Sequence, residues 1–223
     1  MRIVYAEKLD RVSHDIKQLA HEMQSAIKKA GVALFTSDKK LSQTIIDHDR
    51  DLDALEVSVI NQCMTLLAQQ APVGTDLRMI VSDIQFASFF ERMGDLARHI
   101  SEAVIRSFPE SAIPEQSYTV LQEMRVLVEE IVDCLCTMLD ERDISIASTI
   151  FEKNVVLSAL HKKTYDLVTN SSWLGTSQDV INLVLLSRYY ERFGDHAVAT
   201  AQRMIYIVSG FNPTQMPELT DQD

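Results

Sequence analysis

The sequence predicts an all-α protein of two tandem three-helix bundles, six long helices in all, and three observations lead there. Apolar residues recur at three- and four-residue intervals along most of the 223 residues, the spacing that gives a helix one buried face. Glycine and proline number only six and five, few for a chain built on strands and turns. Glu91-Arg92-Met93-Gly94-Asp95 also returns, almost unchanged, as Glu191-Arg192-Phe193-Gly194-Asp195, 100 positions later. A repeat at that distance means two copies of one unit sharing a core.

The first helix spans 3–35 and sets Tyr5, Leu9, Val12, Ile16, Leu19, Met23, Ile27 and Ala30 on one face. Thr36-Ser37-Asp38 offers capping side chains for a second, from Lys39 to about Gln70, whose apolar stripe is Leu41, Ile45, Leu52, Leu55, Val59, Cys63 and Leu66. Pro72 and Gly74 end it. Thr75 is expected to cap the third helix, which carries Leu77, Ile80, Ile84, Ala87, Phe90, Leu96 and Ile100 and reaches about Phe108. Two prolines between Ser107 and Pro114 mark a linker near the middle of the chain.

The pattern then restarts. Leu121, Met124, Leu127, Val128, Ile131, Leu135, Met138 and Leu139 form a fourth helix, and Asp143 caps a fifth that runs to about Thr169. Asn170 to Ser177 is a turn. Thr176-Ser177-Gln178-Asp179 resembles a capping box, with Asp in place of the usual Glu, and opens a sixth helix ending at Ser209-Gly210. The division expected is 1–108 for the first unit, 109–114 for the linker, 115–211 for the second unit and 212–223 for a polar, frayed tail.

The repeat extends into the second helix of each unit, where Ile45 to Glu56 aligns without gaps on Ile150 to His161 at an offset of 105 rather than 100. Five residues are therefore missing from the second copy, expected in its turn. In the first copy Asp49, Asp53 and Glu56 lie along one stripe of a helix, and Glu91 and Asp95, at i and i+4, lie along another, with Cβ atoms about 5–6 Å apart. If the two helices pack side by side, five carboxylates converge, and charges so close repel unless a multivalent cation neutralises them. Hard oxygen donors of this kind accept Mg, Mn, Ca or Fe(III). In the second copy Glu191 and Asp195 remain, but Asn154, Ser158 and His161 replace the three acids. His161 is a candidate nitrogen ligand there, and weaker or absent binding is expected. His99, four residues after Asp95, is a lesser candidate, and Arg92 and Arg192 are expected to form salt bridges.

Composition narrows the function. A net charge of −11 argues against a nucleic-acid partner. Cys63, Cys134 and Cys136 form no metal-binding or disulfide pattern and are expected as buried free thiols in a reducing compartment. The early charges at Arg2 and Glu7 do not suit a secretory signal, and no run of about eighteen apolar residues suits a membrane span. A soluble cytoplasmic protein is expected. No nucleophile elbow, phosphate-binding glycine loop or HExxH motif is present, so nothing suggests an enzyme.

These motifs resemble those of the PhoU family. Glu91-Arg92-Met93-Gly94-Asp95-Leu96-Ala97 is similar to that family's E-R-I-G-D-x-A signature, Pro72-Val73-Gly74-Thr75-Asp76-Leu77-Arg78 to its P-x-x-x-D-L-R turn, and Glu191 to Asp195 to its second signature. The resemblance implies paired three-helix bundles with multinuclear metal clusters, Fe, Zn, Mg and Mn being the candidate ions. Asp49, Asp53, Glu91 and Asp95, with Glu56 beside them, match the first cluster, whereas only Glu191 and Asp195 match the second. It further implies a negative regulator of the phosphate-starvation response that links the ATPase of the Pst phosphate transporter to a phosphate-sensing histidine kinase. Membrane association would then be peripheral, through those partners, and a homodimer is a candidate assembly. The rival readings are a carboxylate-bridged metal enzyme of ferritin-like type and a metal-free helical scaffold.

Overall fold

A computed structural model describes residues 2–210 and shows six long helices with no strand among them. These are α1 (Arg2–Thr36), α2 (Lys39–Gln70), α3 (Gly74–Ser107), α4 (Tyr118–Glu141), α5 (Ala147–Thr169) and α6 (Ser177–Ser209). Short 3₁₀ turns at Glu115–Ser117 and Ile144–Ile146 lead into α4 and α5. The expected tail lies outside the described residues.

Local chemistry sets most of the helix ends. Asp38 Oδ1 accepts the Leu41 amide at 2.9 Å and starts α2. The capping box at α6 is complete: Thr176 Oγ1 accepts the Asp179 amide at 3.2 Å, and Asp179 Oδ2 accepts the Thr176 amide at 2.7 Å. Gly210 takes the left-handed conformation that closes α6, with φ 72°. Asp143 caps the 3₁₀ turn before α5, accepting from the Ser145 amide at 2.9 Å, so it acts one step earlier than expected. Thr75 does not cap α3. That helix begins after Val73 without a side-chain cap, and the Thr75 hydroxyl instead accepts from Arg78 Nη2 at 3.1 Å.

Within each unit the three helices pack on one another, and the two units meet along α3 with α6 and α1 with α4. The α3–α6 contact is antiparallel. Arg78 lies over the Tyr206 ring, Phe89 meets His196, His99 stacks on Tyr189 at 5.4 Å, and Asn182 reaches Ser107. Positions therefore rise along one helix as they fall along the other. Val12, Ile16, Leu19, Met23 and Ile27 of α1 are buried, as their spacing predicts, with Met124, Val128, Ile131 and Leu135 of α4.

The five-residue deficit of the second unit does not lie in its turn. The connection from α5 to α6 spans 170–176, longer than the 71–73 connection in the first unit. The helices are shorter instead: α5 stops at Thr169, the counterpart of Met64 in mid-helix, and α6 starts at Ser177, three positions after the counterpart of Gly74.

A buried acid interrupts the apolar pattern at the junction of the units. Asp83 of α3 is 6% exposed and borders a small cavity of about 80 Å³ lined also by Lys17, Phe86, Arg142 and Met204. Burial pushes its carboxyl up to about 7, with Arg142 pulling the other way. Its counterpart in the second unit is Leu183, fully buried.

Candidate functional site

The close approach of α2 to α3 builds the site, and Gly94 permits it. A Cβ added at Gly94 would stand 2.8 Å from Leu52 Cδ1; one added at Gly194 would stand 2.1 Å from Asn154 Oδ1 and 2.7 Å from Leu157 Cδ2. Both glycines face the same place on the neighbouring helix, since Leu157 is the counterpart of Leu52. The offset of 105 between the second helices is thereby the packing register, and a glycine costing about 1 kcal/mol in a helix interior has its reason.

Across this contact the first unit brings its five predicted acids into one electrostatic neighbourhood. Desolvation, then Asp95, Glu56 and Asp53, push the Glu91 carboxyl up to about 7, with Arg92 opposing weakly. Asp49 is raised as well, chiefly by burial, with Arg98 pulling it down and Asp95 and Asp53 pushing it up. Glu56 Oε1 accepts from Ser88 Oγ at 3.0 Å.

Arg98, one turn beyond Asp95, was not among the predicted residues. All three of its nitrogens are engaged: Nε lies 2.7 Å from Asp49 Oδ2, Nη2 donates to Asp95 Oδ1 at 2.6 Å, and Nη1 donates to Glu102 Oε1 at 2.7 Å. The carboxylates thus fall into two groups. Asp49 and Asp95 are neutralised by a guanidinium, while Glu91, Asp53 and Glu56 have no ion-pair partner among the described residues. The helical stripe 91, 95, 98, 102 was the signal that could have found Arg98.

The second unit is wired differently. Arg188, where the first unit has Ser88, donates through Nη1 to Glu191 Oε2 at 2.6 Å. Val198 stands at the counterpart of Arg98, and Asn154 at that of Asp49, its Oδ1 buried and without a hydrogen-bond partner. Asp195 has only a loose contact with Arg192 at 3.8 Å. His161 is occupied at both ring nitrogens, Nδ1 with Ser187 Oγ at 3.1 Å and Nε2 with Tyr165 Oη at 3.2 Å, and burial lowers its pKa. It would have to give up a bond to ligate anything. Arg92 forms no ion pair among the described residues, against expectation, while Arg192 forms the loose one above. His99 turns to Glu102, at 3.2 Å, and to the Tyr189 ring, serving the contact between units.

The donor set of the first unit, all carboxylate oxygen, suits a hard cation. Among the described residues, however, no three His, Cys, Asp or Glu side chains already stand in a ligating shell. A metal would draw Glu91, Asp53 and Glu56 together, relieving a repulsion that protonation of Glu91 otherwise relieves. Cys63 and Cys136 are buried free thiols, pushed up to about 12 by desolvation, and Cys134 is half-buried. None is placed for chemistry.

Comparison with known proteins follows the same division into two units. The PhoU domain model matches residues 16–104 and again 121–204. The phosphate-specific transport system accessory protein PhoU homolog 2 of Mycobacterium tuberculosis is 32% identical over 213 residues, 96% of this chain and 100% of the relative. PhoU homolog 1 of Mycobacterium leprae is 30% identical, covering 96% of each. Among solved structures, PhoU from Pseudomonas aeruginosa superposes with a TM-score of 0.87 at 24% identity, covering 93% of this chain and 100% of that one. The phosphate transport system regulatory protein PhoU from Streptococcus pneumoniae gives 0.82 at 22% identity, covering 93% and 98%. With the duplicated helical unit, the paired E-R-x-G-D motifs and these matches along nearly its whole length, the chain belongs to the PhoU domain family.

Proposed function

We propose that this protein is a metal-binding adaptor of a phosphate-specific transport system, a negative regulator of the phosphate-starvation response. It acts without catalysis, between the transporter's ATPase and a phosphate-sensing histidine kinase. Full-length similarity to proteins named as accessory to phosphate-specific transport supports the setting. The observation that carries the metal reading is the group Glu91, Asp53 and Glu56, brought into one neighbourhood by a glycine contact and without an ion-pair partner among the described residues. The ion is a hard cation, Mg, Mn or Fe before Zn, held at the first unit and weakly or not at all at the second. No helix among the described residues is long and apolar enough to cross a membrane, which suits docking on the cytoplasmic side through partners.

A deletion strain grown in high phosphate tests the regulatory role. Constitutive expression of an alkaline phosphatase reporter is expected, restored to repression by the wild-type gene. Normal repression in the deletion strain would end the proposal.

A further inference from the structure

Among the described residues, Arg98 is the one basic side chain ion-paired to the acidic cluster, and its geometry is that of a bound cation. Its three nitrogens take Asp49, Asp95 and Glu102 at 2.6–2.7 Å, each a charge-assisted bond in a partly desolvated place. The side chain is only a quarter exposed, and Asp49 13%. No comparable ion pair reaches Glu91, Asp53 or Glu56 among the described residues. The second copy supplies the contrast: Asn154 and Val198 stand at the counterparts of Asp49 and Arg98, so the acid and its arginine are absent together. A guanidinium there would have kept Asp195 but met an amide, Asn154, in place of the most buried of its acids.

We propose that Arg98 is the resident counter-cation of the first cluster, competing with metal for Asp49 and Asp95 and confining metal entry to the Glu91–Asp53–Glu56 end. This rests on the metal reading above and adds to it a residue that limits how many ions the cluster holds and how tightly. Removing the arginine exposes two carboxylates to any incoming cation. Arg98 is therefore a positioning residue, and its loss raises metal binding, the reverse of what loss of a merely structural salt bridge would do.

The test is manganese titration of the full-length chain after chelator treatment, read as bound ions per chain and Kd, with circular dichroism to confirm folding. Arg98→Val is expected to bind an additional ion, or the same ion about tenfold more tightly. Arg98→Lys, which keeps the charge but not the three-way fork, is expected to fall between, and it decides the matter alone should Arg98→Val fail to fold. Manganese bound by the wild type but no more tightly or abundantly by the variants overturns the role of Arg98 and leaves the metal reading standing. No manganese bound by any of the chains overturns both.

Discussion

Glu91 and Glu191 occupy the same place in two copies of one helix, yet Glu91 has carboxylates for neighbours and Glu191 an arginine. The difference traces to five substitutions that keep the backbone register intact, one of them Asp53 to Ser158. In the other four, Ser88 becomes Arg188, Asp49 becomes Asn154, Glu56 becomes His161 and Arg98 becomes Val198. In the first copy unneutralised charge accumulates at one end of the cluster. In the second, Glu191 is paired with Arg188 and His161 with Ser187 and Tyr165, while the buried Asn154 oxygen has no hydrogen-bond partner among the described residues. The same glycine-made contact therefore gathers unpaired carboxylates in one unit and a paired glutamate in the other.

The sharpest way to break this comparison is metal content. Protein purified without chelators and measured by elemental analysis should lose about tenfold or more of its metal on Glu91→Ala and stay near the wild-type level on Glu191→Ala. Equal losses would mean that the second copy binds as well as the first.

A second contrast concerns Asp83 and Leu183. The Asp83 carboxyl titrates near 7 in the folded protein against about 3.9 in an unfolded chain. Between those values the folded state binds the extra proton, so this group's contribution to stability is greatest below about pH 4 and falls as pH rises from about 4 to about 7. Asp83→Leu should reduce that slope to the part that Glu91 contributes in the same window and, at pH 8, stabilise the chain by something on the order of 2–4 kcal/mol. Parallel pH–stability profiles for variant and wild type, from urea unfolding, would show the carboxyl to be better solvated than its burial indicates.

The smallest effect expected is at the glycines. Overpacking costs about 1–3 kcal/mol and the helix preference of alanine returns up to about 1. Gly194→Ala, which meets both Asn154 and Leu157, should lower the Tm more than Gly94→Ala, which meets only Leu52. The reverse order would show that Asn154 swings aside freely.

Much of this architecture was legible in the sequence because it depends on short-range chemistry. Helical periodicity marked all six helices, and the Thr176–Asp179 box and Gly210 were readable from local spacing alone. The convergence of Asp49, Asp53, Glu56, Glu91 and Asp95 was readable because two helical stripes and one repeat constrained it. Arg98 was not read as part of the cluster, although it continues the Glu91–Asp95 stripe, because its role depends on Asp49 arriving from another helix. The same holds for Arg188, which only the three-dimensional pairing distinguishes from an ordinary surface arginine. Thr75 misled because threonine before an apolar run is a common cap, and here an arginine one turn on takes its hydroxyl. The missing residues of the second unit were misplaced because a sequence offset counts residues without saying whether helix or turn has lost them.

The antiparallel crossing of α3 and α6 amounts to a two-fold dimer interface closed within a single polypeptide. In a homodimer of one such unit every substitution would appear on both sides of the axis at once. Joining the two copies in one chain removes that obligation, so each half can change independently. An ancestral symmetric pair could thus become a division of labour, with one half retaining the ionic face and the other surviving as the scaffold against which it is held.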